Sequence, residues 1–433
     1  MIKLKDVFVF LLWNVALLKE ITLPFIRYYD SNYLYNEYAR FVKFTCYYGS
    51  TIKIGTPFQR VTVNLDFYGD SLLLLDSRSN YLNNYQLVFI LNKSSTLNDN
   101  NKHNIISIDN NNSKEYFEVN EFSDTFELNR HKVDKHNFLI TKTISKLPFH
   151  SGIFGLDINN IVSPGYDTLQ QLKQRSLISN NMFVFNLQNR THGELVLGEI
   201  PPIYSSLYSN LTYISKQISS NNKWNIHFDD VHLINQNHTQ VVSEKEVVFS
   251  LEHGVIIAPF NNEDTIINTF GFRNAIENKL CEHLQVKEDI DYTMITCNSK
   301  AISILNKAKI SFIINNNDII LDINDLLVKY YEDIYVFLIA FPINNTNNNG
   351  SKWVLGEPFY RKTPVVFDKE RKRIGLYFNT NSHTQTINTC IKYVLVLLIC
   401  ASVILCLYCI RHYKRQHKAS RYIDFTEGNT KLK

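Results

Sequence analysis

The chain has 433 residues, 45% of them hydrophobic, which is enough to bury one large core or two packed lobes. Its formal net charge is only +4, with both signs interspersed, so it carries no broad positive field and nucleic acid is not expected as a partner. Glycine is scarce at 14, while asparagine gathers in clusters such as "NDNNKHN" and "NNTNNNG", which predict polar surface loops set into a fold.

At the N-terminus, "MIKLKD" is a basic lead to the apolar run Val7 to Leu18, which has signal-peptide length and is short for a span. Residues 1–20 are therefore expected to be a signal peptide or, since no small-x-small cleavage site follows, an uncleaved anchor. Short strands are predicted next, at "KFTCYYGSTIKIG", "QRVTVNL", "NMFVFNL", "GELVLG", "NIHFDDVHLI", "AKISFII", "IYVFLIAF" and "KRIGLYF". Helical spacing is limited, chiefly to "YDTLQQLKQRSL" and "EDTIINTFGFRNAIEN", so a mainly β domain with a few short helices is expected. The Pro-containing stretch Gly198 to Asn210 is the candidate boundary between lobes.

Near the C-terminus, Tyr393 to Ile410 is an uninterrupted apolar segment followed by "RHYKRQHK", the pattern of a transmembrane helix with a basic flank. The expected topology is a single-pass type I membrane protein of the secretory pathway, with residues 411–433 as a cytoplasmic tail. In that tail, "RYIDF" carries Tyr422 and Phe425 at the spacing of a tyrosine-based sorting signal, and a sorting adaptor is a candidate partner there. Four cysteines lie on the oxidising side, where Cys281 and Cys297 are the natural pair and Cys46 and Cys390 stay unassigned. Glycosylation acceptors occur at Asn92, Asn111, Asn189, Asn210, Asn237, Asn344 and Asn349.

The stretch "YYGSTIKIGTPFQRVTVNLD" (Tyr47 to Asp66) resembles the first strands of the pepsin-like aspartic endopeptidases. Further landmarks follow in that family's order: "SGIFGLD", "GELVLGEI", "KWNIHFDDV" and "WVLGEPFYRKTPVVFDKERKRIGL". The resemblance implies a bilobal fold with a central cleft, its N-terminal β lobe at 45–200 and its C-terminal β lobe at 205–385. It also implies one catalytic-type turn per half, each ahead of a hydrophobic-hydrophobic-Gly, and its placement of cysteines matches a Cys281–Cys297 disulfide. Neither a cofactor nor a metal is implied.

In such a site, two carboxylates share one proton: one activates water while the other protonates the scissile carbonyl. The family sets each aspartate in an Asp-Thr-Gly turn. Here the first turn is Asp66-Phe67-Tyr68-Gly69, in which Asp66 matches the aspartate, Phe67 lacks the bracing hydroxyl and Gly69 comes one residue late. Counting back from Ala258-Pro259, the second aspartate position falls on Ser250, whose hydroxyl does not ionise at working pH. Glu252 is the candidate substitute acid, and His253 could titrate near neutrality. Both are expected to face solvent, and no base or oxyanion hole is evident that would make Ser250 a nucleophile. Without a like-charged neighbour, Asp66 is expected to titrate as an ordinary carboxyl. The flap motif of the family falls roughly on Asn110, Asn111 and Asn112.

The leading expectation is a catalytically inactive membrane glycoprotein that binds peptide or protein in the cleft or on the lobe surfaces. One alternative is an active aspartic endopeptidase with an unorthodox second turn; another is a structural membrane glycoprotein.

Overall fold

The computed structural model describes residues 20–29, 46–67, 69–78, 87–110, 113–142, 151–158, 165–207, 210–215, 224–236, 238–287, 291–305, 307–331, 333–343 and 351–378. The run Val7 to Leu18, the segment Tyr393 to Ile410, the tail with Tyr422, Cys390, and the acceptors Asn111, Asn237, Asn344 and Asn349 lie outside them. No helix among the described residues is long and apolar enough to cross a membrane.

The architecture is mainly β. A 13-stranded sheet starts at Asn210–Ser215 and passes through Arg373–Phe378, Val365–Asp368, Met182–Asn186, His192–Leu197 and Ile21–Tyr29. It then continues through Cys46–Ile54, Gln59–Asp66, Gly152–Gly155, Leu72–Leu75, His131–Thr141 and Ser113–Leu128 to Asn98–Asn110. Strands from both halves of the chain thus join one sheet, and the stretch predicted as a boundary contributes a short helix, Pro202–Leu207, before the chain re-enters that sheet at Asn210. The second half adds an 8-stranded and a 4-stranded sheet.

Apolar sequence explains the centre of this arrangement. Leu72–Leu75 is buried along its whole length because both its faces are covered, Leu72 and Leu74 packing into one core cluster and Leu73 and Leu75 into another, while its edges pair parallel to His131–Thr141 and antiparallel to Gly152–Gly155. A strand covered on both faces reads as a continuous apolar run instead of an alternation. Rings from both halves of the chain pack together in the core: Phe183 stacks on Phe367 at 4.8 Å between centroids, and Trp224 meets Phe367 edge-on at 5.0 Å. The two helical patterns form where expected, as Thr168–Gln174, capped by the Asp167 carboxylate, and as a pair, Glu263–Phe270 and Phe272–Glu277, broken at Gly271.

Cys281 and Cys297 stand directly opposite each other on the antiparallel strands Cys281–Lys287 and Asp291–Asn298 and are disulfide-bonded. Cys46 is a free, buried thiol. Replacing both bonded cysteines by alanine should cost about 3 kcal/mol, the chain-entropy value for a loop of this length, as read from guanidinium unfolding. Among the acceptors, Asn92 and Asn189 are exposed.

His136 is fully buried on the strand His131–Thr141 and stacks on Phe126 at 4.4 Å, and among the described residues neither ring nitrogen has a hydrogen-bond partner. Burial, with a smaller contribution from the Arg175 charge, pushes its pKa down to about 3. The unfolded chain binds this proton near pH 6.5 and the folded one does not, so stability falls as pH drops from 6.5 towards 3, by up to about 1.4 kcal/mol per pH unit. His136→Phe should therefore stabilise by about 1–3 kcal/mol at pH 7 and flatten the acid limb of a melting-temperature profile.

Candidate active site

The first turn grows out of the strand Gln59–Asp66. This strand runs parallel to Gly152–Gly155 with Leu65 beside Phe154 and Asp66 beside Gly155. The next residues are tied back to the turn: Leu156 N–H donates to the Asp66 carbonyl at 2.8 Å, Asp157 N–H to the Gly69 carbonyl at 2.7 Å, and Gly155 N–H to the Ser71 carbonyl at 3.1 Å. Asp66 is 2% exposed, and its carboxylate accepts hydrogen bonds from Phe67 N–H at 2.6 Å and from the Asn64 amide at 3.2 Å.

The expectation of an ordinary carboxyl at Asp66 is overturned. Burial pushes its pKa up to about 8; the Phe67 N–H bond opposes this and the Asp157 charge adds to it. The like-charged neighbour comes from the same half of the molecule, and sequence reasoning missed it. Its only sequence signal was the acid that closes "SGIFGLD", which becomes meaningful once the parallel register sets that segment beside Asp66.

In the second turn, the strand Glu246–Phe249 runs parallel to Trp353–Leu355, with Val248 beside Val354 and Phe249 beside Leu355. One further residue along both strands brings Ser250 alongside Gly356, as Asp66 lies alongside Gly155, and Ser250 N–H donates to the Leu355 carbonyl at 3.1 Å. The correspondence extends outward. Leu73 pairs with Ile153 and with Leu139, and at the same spacing from Ser250, Ile257 pairs with Val354 and with Ala340. Ser250 thus follows the last pair of its strand, Phe249 with Leu355, as Asp66 follows the pair Leu65 with Phe154.

The Ser250 hydroxyl is hydrogen-bonded to His253 Nδ1 at 2.7 Å and accepts from Glu252 N–H at 3.2 Å. His253 is only 8% exposed, so the expectation that it faces solvent is corrected: the turn curls its ring back onto the serine. Glu252 is half-buried, and its carbonyl accepts from Cys46 N–H at 2.6 Å. Asp157 is a charge that acts on Asp66.

Apolar side chains fill the places of the bracing hydroxyls. Phe67 packs against Phe367 at 5.1 Å, Phe183 at 6.2 Å and Trp224 at 6.4 Å, and Leu251 is buried. The second turn is backed by Glu357, whose N–H donates to the His253 carbonyl at 2.9 Å and whose carboxylate is ion-paired with Arg27. Within the long hairpin of Asn98–Asn110 and Ser113–Leu128, the buried Glu121 accepts from the Tyr166 hydroxyl at 2.5 Å; Asn111 and Asn112 lie outside the described residues. No group of three or more His, Cys, Asp or Glu among the described residues is placed to hold a metal.

Chemically, the first turn can hold or release a proton through Asp66, whereas the hydroxyl at Ser250 can only exchange hydrogen bonds. A family model of the eukaryotic aspartyl proteases matches residues 47–377. No curated protein matches the chain.

Proposed function

Given that the chain belongs to the eukaryotic aspartyl protease family, we propose that it is a member that binds peptide or protein in its cleft without cleaving it. What supports this reading is the pairing of Phe249 with Leu355, continued by the hydrogen bond from Ser250 N–H to the Leu355 carbonyl. The shared-proton mechanism needs an ionisable group at that point as well as at Asp66, and groups that act as a unit lose nearly all their effect when one is missing. The second turn is also occupied with itself, its hydroxyl held by His253 and Glu252. In this proposal the apolar segment Tyr393 to Ile410 anchors the domain to a membrane of the secretory pathway, and Tyr422 serves sorting from the cytoplasmic side.

The test is incubation of the detergent-solubilised chain with fluorescently labelled denatured casein between pH 3 and 7.5. Casein should be retained intact on immobilised protein. Cleavage that disappears in Asp66→Ala would overturn the proposal in favour of an active endopeptidase, with Glu252 the first acid to replace. Absence of both cleavage and retention would leave the structural role.

A further inference from the structure

We propose that a cavity on the face of the 13-stranded sheet that carries Val184 and Val196 binds a small apolar zwitterion, a free amino acid or a dipeptide, with its ammonium group on Glu194 and its carboxylate on Arg361. The proposal goes beyond the cleft-binding function and does not rest on it.

The cavity has a volume of about 310 Å³, and its lining includes Glu194, Asn186, Leu187, Ile203, Arg361 and Pro364. That volume lies at the low end for ligand pockets and suits a small molecule. Because side chains alternate between the two faces of a strand, the strands that build the cavity sort their residues. Phe183, Phe185 and Leu195 belong to the main core, where Phe183 meets Phe67 of the first turn. Val184 and Val196 pair across their strands and join Tyr204 in a separate cluster, and the same alternation puts Asn186 and Glu194 on their side. The sheet therefore stands between the cavity and the first turn.

Charge is divided across this cavity. On one side, Glu194 Oε1 accepts from the Tyr204 hydroxyl at 2.5 Å and from the Asn186 amide at 3.1 Å, while Oε2 has no partner among the described residues. Its charged neighbour is another acid, Glu20, whose pKa is pushed up by burial and then by the Glu199 and Glu194 charges. Among the described residues, none of these three carboxylates has an ion-pair partner. The other side is basic. Arg361 Nη2 donates to the Asp325 carbonyl at 2.7 Å and Nε meets Glu357 at 3.3 Å, while Nη1 has no partner among the described residues. Glu357 is shared with Arg27, Asp325 is ion-paired with Lys362, and the Arg190 charge also acts on Arg361, so cations outnumber carboxylates there.

This division selects the ligand. A simple anion would be repelled by Glu194 and a simple cation by Arg361, whereas a molecule carrying both charges satisfies both ends. The strands His192–Leu197, Met182–Asn186 and Val365–Asp368 are neighbours, so the backbones of Glu194 and Pro364 stand about 10 Å apart, two strand spacings. Two lining side chains within that span leave room for one or two residues of ligand. Leu187, Ile203 and Pro364 add apolar wall, against which an aliphatic side chain gains by leaving water.

Equilibrium dialysis of the full chain in detergent against radiolabelled L-leucine, and separately against radiolabelled L-alanyl-L-leucine, tests the site. Saturable uptake of at least one of the two is expected, and whichever binds identifies the source. Its N-acetylated form, which lacks the ammonium, and its amide, which lacks the carboxylate, should each compete at least about tenfold less well. In Glu194→Gln the affinity should fall about tenfold, and the N-acetylated form should lose its disadvantage. Ile203 is 60% exposed, so Ile203→Trp can narrow the cavity without disturbing the core, and it should weaken uptake by a similar factor even if Glu194→Gln does not fold. Failure of both compounds to bind overturns the site. Competition by the N-acetylated form or the amide equal to that of the zwitterion, or unchanged affinity in the variants that fold, overturns the placement of its charges.

Discussion

Replacing Arg27 by methionine should lower the unfolding free energy by about 3–5 kcal/mol, the cost of leaving a buried charge without its partner. Arg27 lies on the strand Ile21–Tyr29, and its side chain is 2% exposed; the carboxylate it meets, Glu357, is 4% exposed. Glu357 is also approached by Arg361 Nε at 3.3 Å, and Arg27 Nη1 reaches the Arg190 carbonyl at 3.3 Å. The pair therefore fastens the first described strand to the chain that supports the second turn. Glu357→Gln should cost a similar amount for the opposite reason, a guanidinium left in the interior. Combining Arg27→Met with Glu357→Gln should recover a large part of the loss, because the double variant buries no unmatched charge from this pair. Denaturant midpoints of the four proteins measure the coupling, and costs that simply add would show that the two side chains act independently.

The same contact marks where sequence reasoning stopped. Strands such as Met182–Asn186, His192–Leu197 and Arg373–Phe378 were legible because apolar residues dominate them and turns bound them. The strand Ile21–Tyr29 was not, since it sits directly behind the leader-like run and ends among tyrosines. The hairpin Asn98–Leu128 was hidden by its asparagines; it buries Ile106, Phe117 and Val119 on one face and leaves Ile105 and Tyr116 exposed on the other. "NIHFDDVHLI" reads as one strand but forms two, Asn225–His227 and Asp230–Ile234, which join different sheets.

At the site, Asp66 and Ser250 could be located by counting from neighbouring motifs, because the count follows backbone spacing. What surrounds them could not. The closeness of Asp157 to Asp66 arises from a parallel pairing between segments far apart in the chain, and the inward turn of His253 arises from a hydroxyl one turn earlier. The first is a relation that only the closed fold creates, and the second depends on the local path of the turn.

The turn itself sets the severest constraint, and Gly356→Ala should cost at least about 4 kcal/mol, in the range reserved for substitutions with no room to relax. A Cβ at Gly356 would stand 2.2 Å from both the His253 and the Val255 carbonyl oxygens, and those atoms belong to backbone that cannot swing aside. The conformation is not the obstacle: φ is −107°, which any residue adopts. Gly155 repeats the arrangement in the first half, where a Cβ would come 2.4 Å from the Gly69 carbonyl oxygen and 2.8 Å from that of Ser71. Gly165 is the contrasting control, with a φ of +107° and only the Asn137 amide nitrogen nearby, at 4.0 Å. There alanine meets strain without collision, and about 1–2 kcal/mol is expected. Thermal and denaturant unfolding of Gly356→Ala, Gly155→Ala and Gly165→Ala should therefore separate into two severe losses and one mild one. Because the Gly356 contact presses on the residue that holds Ser250, its alanine variant should also abolish casein retention in whatever fraction still folds. A Gly356→Ala protein as stable as Gly165→Ala would mean that the second turn stands off from the strand Trp353–Leu355, and the equivalence of Ser250 with Asp66 would lose its structural basis.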